Sequence, residues 1–280
     1  MELGKREAGS VPALILPVYK LLGETPLECL ERFRACYPEY TDLPMTYAGR
    51  LDPMAEGLLL ILAGEECKSK EKYLALEKEY IFEILVGFHT DTHDLLGLVD
   101  GKSESEIDIR KFEQALTTFL GGIEQKYPLF SSKTVGGVPL HMIAREGVGE
   151  SANGKVSKMD EENLPSRMVK ISEIEKLSER KMGAKELEKE IRHRVALIRG
   201  DFRQEKILEK WGIEFKKLAE GEVEAKVKVI ETEFQIIKCR MKCSSGTYVR
   251  ALVHSLSKKL GIPMCTFSIF RSKLGVLELK

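Results

Sequence analysis

The sequence predicts an α+β fold: a mixed, largely antiparallel central sheet with flanking helices, plus a helical insertion. Short apolar runs bounded by glycine, at 57–64 and 80–87, have the length and alternation of strands. Helical stretches with recognisable start and stop signals fall between them without the regular βαβ repeat of a doubly wound sheet. A charge-rich, helix-favouring stretch at 173–218 interrupts this pattern.

Residues 1–11 are polar and contain glycine and serine, so a flexible leader is expected. Segment 13–18 reads as a buried strand running out through Tyr19 and Lys20. Thr25-Pro26-Leu27-Glu28 then starts a helix: Thr25 can cap, Pro26 suits the first helical position, and Glu28 can reach back to complete a capping box. Pro38 ends that helix near Tyr37. The glycine-bounded run 57–64 is a buried strand, and Tyr80, Phe82, Ile84 and Val86 alternate along a second that closes at Gly87. A helix over 108–120 is stopped by Gly121-Gly122, and 139–145 forms a shorter one. Within 173–218, KELEKEIRHR and RQEKILEKW predict one or two amphipathic helices, most simply with a solvated charged face. A second reading makes KEIRHR a phosphate-binding surface. A strand at 233–243, a helix at 247–260 stopped by Gly261, and strands near 264–270 and 274–279 complete the chain. One main domain is thus expected in two parts, 12–172 and 223–280, around a charged helical insertion at 173–222.

The 280 residues are 43% hydrophobic, ample for a core. Forty-four basic and forty-four acidic side chains cancel. A neutral total counts mildly against a nucleic-acid enzyme, although a local basic groove can coexist with it. Six cysteines without a CxxC pair suit reduced thiols in a cytosol. The run before Pro17 is too short for a secretory signal, and no segment approaches membrane-spanning length. A soluble, cytoplasmic protein is expected.

The stretch from Tyr47 to Gly57 carries the most chemistry. Asp52 sits between Leu51 and Pro53 on a loop bracketed by Gly49 and Gly57, leading into an apolar strand. Pro53 biases Asp52 toward an extended backbone, so the carboxylate is rigidly presented. Spacing alone also allows Asp52 to cap a turn, Tyr80 to be a core tyrosine, and Arg250 to be a surface residue.

Gly49-Arg-Leu-Asp52 followed by Gly57-Leu-Leu resembles the aspartate loop of the pseudouridine synthases. Further segments resemble one branch, the TruB family of tRNA pseudouridine-55 synthases: Lys20…Gly23-Glu-Thr25, Leu51-Asp-Pro-Met-Ala-Glu-Gly57, Lys78-Glu-Tyr80, Thr90-Asp-Thr-His-Asp94…Gly97, Gln125-Lys-Tyr-Pro-Leu-Phe-Ser-Ser-Lys133, and Ser244-Ser-Gly-Thr-Tyr-Val-Arg250 with Ile269-Phe-Arg271. They occur in the family's order over roughly two-thirds of the chain. The resemblance implies a pseudouridine-synthase-like catalytic domain in which Asp52 attacks the bound nucleoside, the glycosidic bond breaks, and the base reattaches through carbon 5. It further implies that Arg250 is the cation beside Asp52 and that Tyr80 stacks on the flipped uracil, its hydroxyl assisting proton removal. Tyr47, Tyr248 and Ile269 become pocket walls, and Lys20 and Lys133 phosphate contacts, with a solvated lysine as the alternative for each. The implied partner is the T-arm stem-loop of tRNA, met by a monomer with no metal or organic cofactor.

Two departures bear on target choice. Tyr47 stands where the family usually has histidine, and Arg50 makes the loop closer to the ribosomal-RNA branches. Another RNA target is therefore one alternative, and a non-catalytic RNA-binding or RNA-folding protein a second. The cluster His89-Thr-Asp-Thr-His93-Asp94 invites a third, a metal hydrolase, but no glutamate-bearing helix motif accompanies it.

Overall fold

The computed structural model describes residues 14–146, 148–151, 154–157, 161–224 and 232–278. The expected leader, 1–11, lies outside them. In chain order the elements are β1 (Ile15–Lys20), α1 (Pro26–Cys36), β2 (Met45–Ala48), β3 (Ala55–Ala63), α2 (Lys70–Leu74), β4 (Lys78–Val86), β5 (Phe88–Thr90), β6 (Val99–Lys102), α3 (Ile109–Thr117), β7 (Gly121–Lys126), β8 (Thr134–Val135), β9 (Val138–Pro139), α4 (Leu140–Glu146), β10 (Val148–Ser151), β11 (Gly154–Ser157), β12 (Ser166–Gly183), α5 (Ala184–Ala196), α6 (Gln204–Glu224), β13 (Glu233–Cys243), α7 (Val249–Leu260), β14 (Met264–Leu274) and β15 (Leu277–Glu278).

The main sheet runs β1-β3-β14-β4-β13-β12-β7. Every neighbouring pair is antiparallel except β14 with β3. The expected mixed, largely antiparallel sheet is therefore present. Gly57 pairs with Lys20 on one edge of β3 and with Arg271 on the other. Further along that second edge, Leu60 to Ala63 pair with β2. β14 and β2 thus abut end to end beside β3, and the 49–54 loop emerges at their junction.

The capping box at Thr25 forms as its residues predict, with Glu28 N donating to Thr25 Oγ1 at 3.2 Å and Thr25 N to Glu28 Oε2 at 2.7 Å. Gly57 is required sterically: its φ is +109°, and a Cβ there would lie 2.5 Å from the Arg271 carbonyl oxygen. That oxygen and the Arg271 N, at 2.8 Å, are backbone and cannot swing aside. Gly57→Ala is expected to lower stability by more than about 2 kcal/mol, measured by urea unfolding.

One expectation needs correction. Residues 173–183 are not helical but the second half of the long strand β12, paired with β13 as far as Gly183 opposite Glu233. Their charges read as helix-favouring, yet in a strand alternate side chains face solvent, and Ile174 and Met182 turn inward. Near the C-terminus both expected strands form: β15, with Leu277 opposite Leu274, turns back antiparallel on the end of β14. Bulges between Thr266 and Ser268 and between Arg271 and Lys273 bend β14 without breaking it.

Helix does begin at Ala184, and it is not a solvated appendage. Leu187, Ile191 and Val195 of α5, with Ile207, Trp211 and Phe215 of α6, pack on Leu85, Phe88, Phe234, Ile236 and Phe267 of the sheet face. The opposite face carries Phe82, Ile84, Ile237 and Met241 against α3 and α7. The chain's one tryptophan, Trp211, is 1% exposed and sits 5.0 Å from the Phe88 ring. Its Nε1 donates to Leu95 O at 3.3 Å, tying α6 to the 91–98 loop. Both arginines of KEIRHR are paired within α5, Arg192 with Glu188 and Arg194 with Glu190, which leaves little for a phosphate surface. Among the described residues no helix is long and apolar enough to cross a membrane.

Candidate active site

The loop from Gly49 to Met54 leaves β2 and returns as β3. Leu51 is buried in the core under α3 and α7, and Met54 in the core under α5 and α6. Asp52 is therefore pinned from both sides. Backbone bonds tighten the turn, Ala55 N to Asp52 O and Gly23 N to Pro53 O, each at 2.9 Å. The Asp52 side chain keeps 35% exposure, so it faces a cleft rather than a closed interior.

Arg250, in the first turn of α7, points its guanidinium at this loop. Its Nε donates to Asp52 Oδ2 at 2.7 Å, Nη1 to Thr92 O at 2.9 Å and Nη2 to Phe130 O at 3.3 Å. A second carboxylate, Asp94 Oδ2, lies 3.6 Å from the same Nε. Burial opposes the charge on Arg250, but Asp52 and Asp94 outweigh it and raise its pKa. One buried cation thus orients two carboxylates and two loop carbonyls.

Asp94 is buried and accepts from Thr92 Oγ1 at 2.6 Å and Leu96 N at 2.9 Å. Burial pushes its pKa from 3.8 up to about 6 against the pull of Arg250 and Thr92. A carboxyl raised on folding holds its proton more firmly in the native state. Its contribution to stability is present below pH 3.8 and is lost as pH rises through about 6, a change of about 3 kcal/mol. Asp94→Asn should abolish this slope, so that its stability relative to wild type rises between pH 4 and 7 in parallel urea titrations.

Asp52 stands on the wall shared by two cavities, of about 310 and 830 Å³. Tyr47, Tyr80, Tyr248 and Ile269 line the larger one. Tyr80 lies on β4, and burial raises its pKa against the opposing charge of Arg271, so its hydroxyl stays protonated and can donate. Tyr248 caps α7 and is clamped by Gln125, which accepts from its N at 2.8 Å and donates to its O at 3.1 Å. The walls also carry Arg50, Lys70, Lys78, Lys133, Arg167 and Arg271, against Asp52 and Glu71. The local basic groove that the neutral total allowed is present.

The structure brings together seven of the eight residues named from the sequence and sets one apart. Lys20 is fully buried, and its Nζ donates to Leu21 O at 3.0 Å and Ala55 O at 2.5 Å. Burial lowers its pKa to about 8. It braces the start of β3 and lines neither cavity, so it is not placed to meet a phosphate. Lys133 does line the larger cavity, with Nζ 5.3 Å from the Tyr127 ring. Sequence reasoning missed Asp94 as the second carboxylate on Arg250 and Arg271 as a wall. Arg271 donates to Leu58 O at 2.7 Å and Arg50 O at 3.2 Å, while its Nη2 is shielded from solvent without a partner. Both residues lie within motifs already singled out, Thr90–Asp94 and Ile269–Arg271, and that was the available signal. It also missed Arg203, from the α5–α6 connection, which lines the smaller cavity, pairs with Asp91 at 3.1 Å and lies over the Phe130 ring.

Comparison with known proteins fits this geometry. Residues 44–193 match the family described as TruB family pseudouridylate synthase (N terminal domain). That span holds Tyr47, Asp52, Tyr80 and Lys133, with Tyr248, Arg250 and Ile269 beyond it. A "tRNA pseudouridine synthase B" of Francisella tularensis subsp. novicida is 27% identical over 235 residues, covering 83% of this chain and 56% of that protein. One of Caldicellulosiruptor saccharolyticus is 24% identical over 266 residues, covering 95% and 69%. One of Caldanaerobacter subterraneus subsp. tengcongensis is 27% identical over 235 residues, covering 84% and 60%. The chain thus spans 56–60% of the length of the first and last of these. A solved "Cbf5-Nop10-Gar1 Complex" contains a chain of the same fold, with TM-score 0.53 and 15% identity over 95% of this chain and 50% of that one. A chain of an "H/ACA RNP bound to a substrate RNA containing 2'-deoxyuridine" gives 0.51 and 14%, covering 95% and 49%.

Proposed function

Because this chain belongs to the TruB family of pseudouridylate synthases, we propose that it isomerises a uridine of tRNA to pseudouridine, at position 55 of the T-loop, with Asp52 as nucleophile. One observation carries this reading: the Asp52 carboxylate, fixed by a buried guanidinium at 2.7 Å, faces a cavity walled by three tyrosines and ringed by cations. An extruded uracil is held by aromatic faces and edge hydrogen bonds, which Tyr47, Tyr80 and Tyr248 can supply. Lysines and arginines at the rim suit the flanking phosphates.

In the reaction the bond between the sugar carbon and N1 breaks, the uracil turns, and C5 forms the new bond. N1 takes up a proton and C5 loses one, so the change is redox-neutral and needs no cofactor. Asp52 is the nucleophile, and Arg250 holds its carboxylate toward the cavity. Tyr80 packs on the base, with its protonated hydroxyl available as a hydrogen-bond donor beside the proton-transfer site. In the same reading the protein acts as a monomer in the cytoplasm, consistent with six cysteines that are all unpaired.

The test maps modified uridines in unmodified tRNA and rRNA transcripts after incubation with the protein. Modification confined to the T-loop supports the assignment. Modification of rRNA alone moves the same chemistry to another substrate, and no modification of either removes the activity.

A further inference from the structure

Beside the cleft, on the far side of Arg250 along α7, three histidines from separate parts of the chain converge. His89 is on β5, His93 is in the loop that follows, and His254 is one helical turn beyond Arg250. The sequence pattern suggested a metal set with the aspartates of the His89–Asp94 run, and the structure dissolves that set. Asp91 pairs with Arg203, and Asp94 is committed to Arg250, Thr92 and Leu96. His254 takes their place, and one ring nitrogen of each histidine lies within 4.8 Å of the others.

The outer hydrogen bonds fix which nitrogens face inward. His89 Nδ1 lies 2.5 Å from Asp100 Oδ1, and His254 Nε2 lies 3.0 Å from Glu161 Oε1. Carboxylates only accept, so both outer nitrogens carry the proton. Glu161 also accepts from Lys258 Nζ. The nitrogens facing each other are then His89 Nε2 and His254 Nδ1, 3.0 Å apart. His93 stacks on His254 with centroids 3.9 Å apart, and its Nδ1 is shielded from solvent without a partner. Three imidazoles thus present ring nitrogens to one point.

We propose that His89, His93 and His254 bind one divalent transition-metal ion of zinc-like preference, with Asp100 and Glu161 orienting two of the ligands. Three imidazoles with carboxylates behind them form a tris-histidine donor set, and water completes the fourth position. Tetrahedral binding brings ligand nitrogens to about 3.3 Å from one another. Closing the present spread of 4.8 Å requires movement on the order of 1 Å, mainly by His93. The ion would join the 89–94 loop to α7. Thr92 O and Asp94, on that loop, touch Arg250, so the metal acts as a positioning device for the guanidinium and takes no part in the chemistry.

The experiment uses the untagged full chain, stripped with chelator, and titrates Zn²⁺ by calorimetry and Co²⁺ by visible absorption, with no RNA present. The expected result is one ion per chain, with a dissociation constant below about 10⁻⁶ M and the intense visible bands of four-coordinate Co²⁺. His93→Asn keeps a residue type that tolerates the left-handed backbone at this position, φ 63°, and should abolish those bands. Asp100→Asn, changing an exposed partner, should weaken binding about 10- to 100-fold while leaving the melting temperature of the metal-free protein unchanged. Absence of binding in wild type, as for a histidine pair sharing a proton, overturns the proposal. So does binding that His93→Asn and Asp100→Asn leave unaltered, since that would place the ion on surface carboxylates. Because the readout is metal binding alone, failure of the uridine assay bears on the function and not on this site.

Discussion

Asp52→Asn is expected to reduce pseudouridine formation by on the order of 10⁴-fold or more, the scale of losing a nucleophile, while tRNA binding stays within several-fold of wild type. The substitution is nearly isosteric, and its structural cost should be small because Asp52 is the exposed member of its pair, 35% against 4% for Arg250. Arg250 also keeps Asp94, Thr92 O and Phe130 O as partners. Single-turnover conversion of a tRNA transcript, read beside a filter-binding isotherm, separates the two effects. A variant that converts uridine at the wild-type rate would dismiss Asp52 as the nucleophile.

Arg250 should behave differently, because fold and chemistry share it. Arg250→Ala strands the fully buried Asp94, leaves Asp52 without its anchor and orphans two loop carbonyls. Removing one partner of a buried ion pair costs about 3–5 kcal/mol, so loss of activity in this variant is accompanied by a large fall in melting temperature. The geometry assigns both losses to this one substitution. Arg250→Lys is the discriminating change. It retains the charge but cannot present Nε, Nη1 and Nη2 to three acceptors at once. The expected result is a folded protein whose single-turnover rate drops about 10²- to 10³-fold, as when a positioned donor is lost. A lysine variant that is as unstable as the alanine one would reduce Arg250 to a structural strut.

Most of the sheet was legible because its strands are short apolar runs closed by glycine, and the α1 start because the capping box is local. What sequence missed was non-local. The charges of 173–183 resemble helix-forming sequence until β13 supplies a partner edge, and only pairing decides between the two. The apolar stripe Leu187, Ile191 and Val195 was present in the letters, yet what it covers, the second face of the sheet, is assembled from β4, about a hundred residues earlier, and from β13 and β14, which come later. In the site, Asp52, Tyr80 and Arg250 were found because their motifs are distinctive. Asp94 and Arg271 lay inside the same motifs but acquire their parts only through contacts 156 and 221 positions away in sequence, to Arg250 and Arg50. The Lys20 assignment failed for a related reason. Lysine is seldom fully buried, and only the strand pairing reveals a pair of carbonyls waiting for it.

Trp211 carries a practical consequence. As the chain's only indole, packed on Phe88 and bonded to Leu95 O, it is an intrinsic fluorophore at the seam between α6 and the loop that ends in Gly97. Its emission reports the docking of that helix without any label. A blue-shifted native spectrum moving to the red before far-ultraviolet circular dichroism changes would reveal the helical layer lifting from the sheet as a separate cooperative unit.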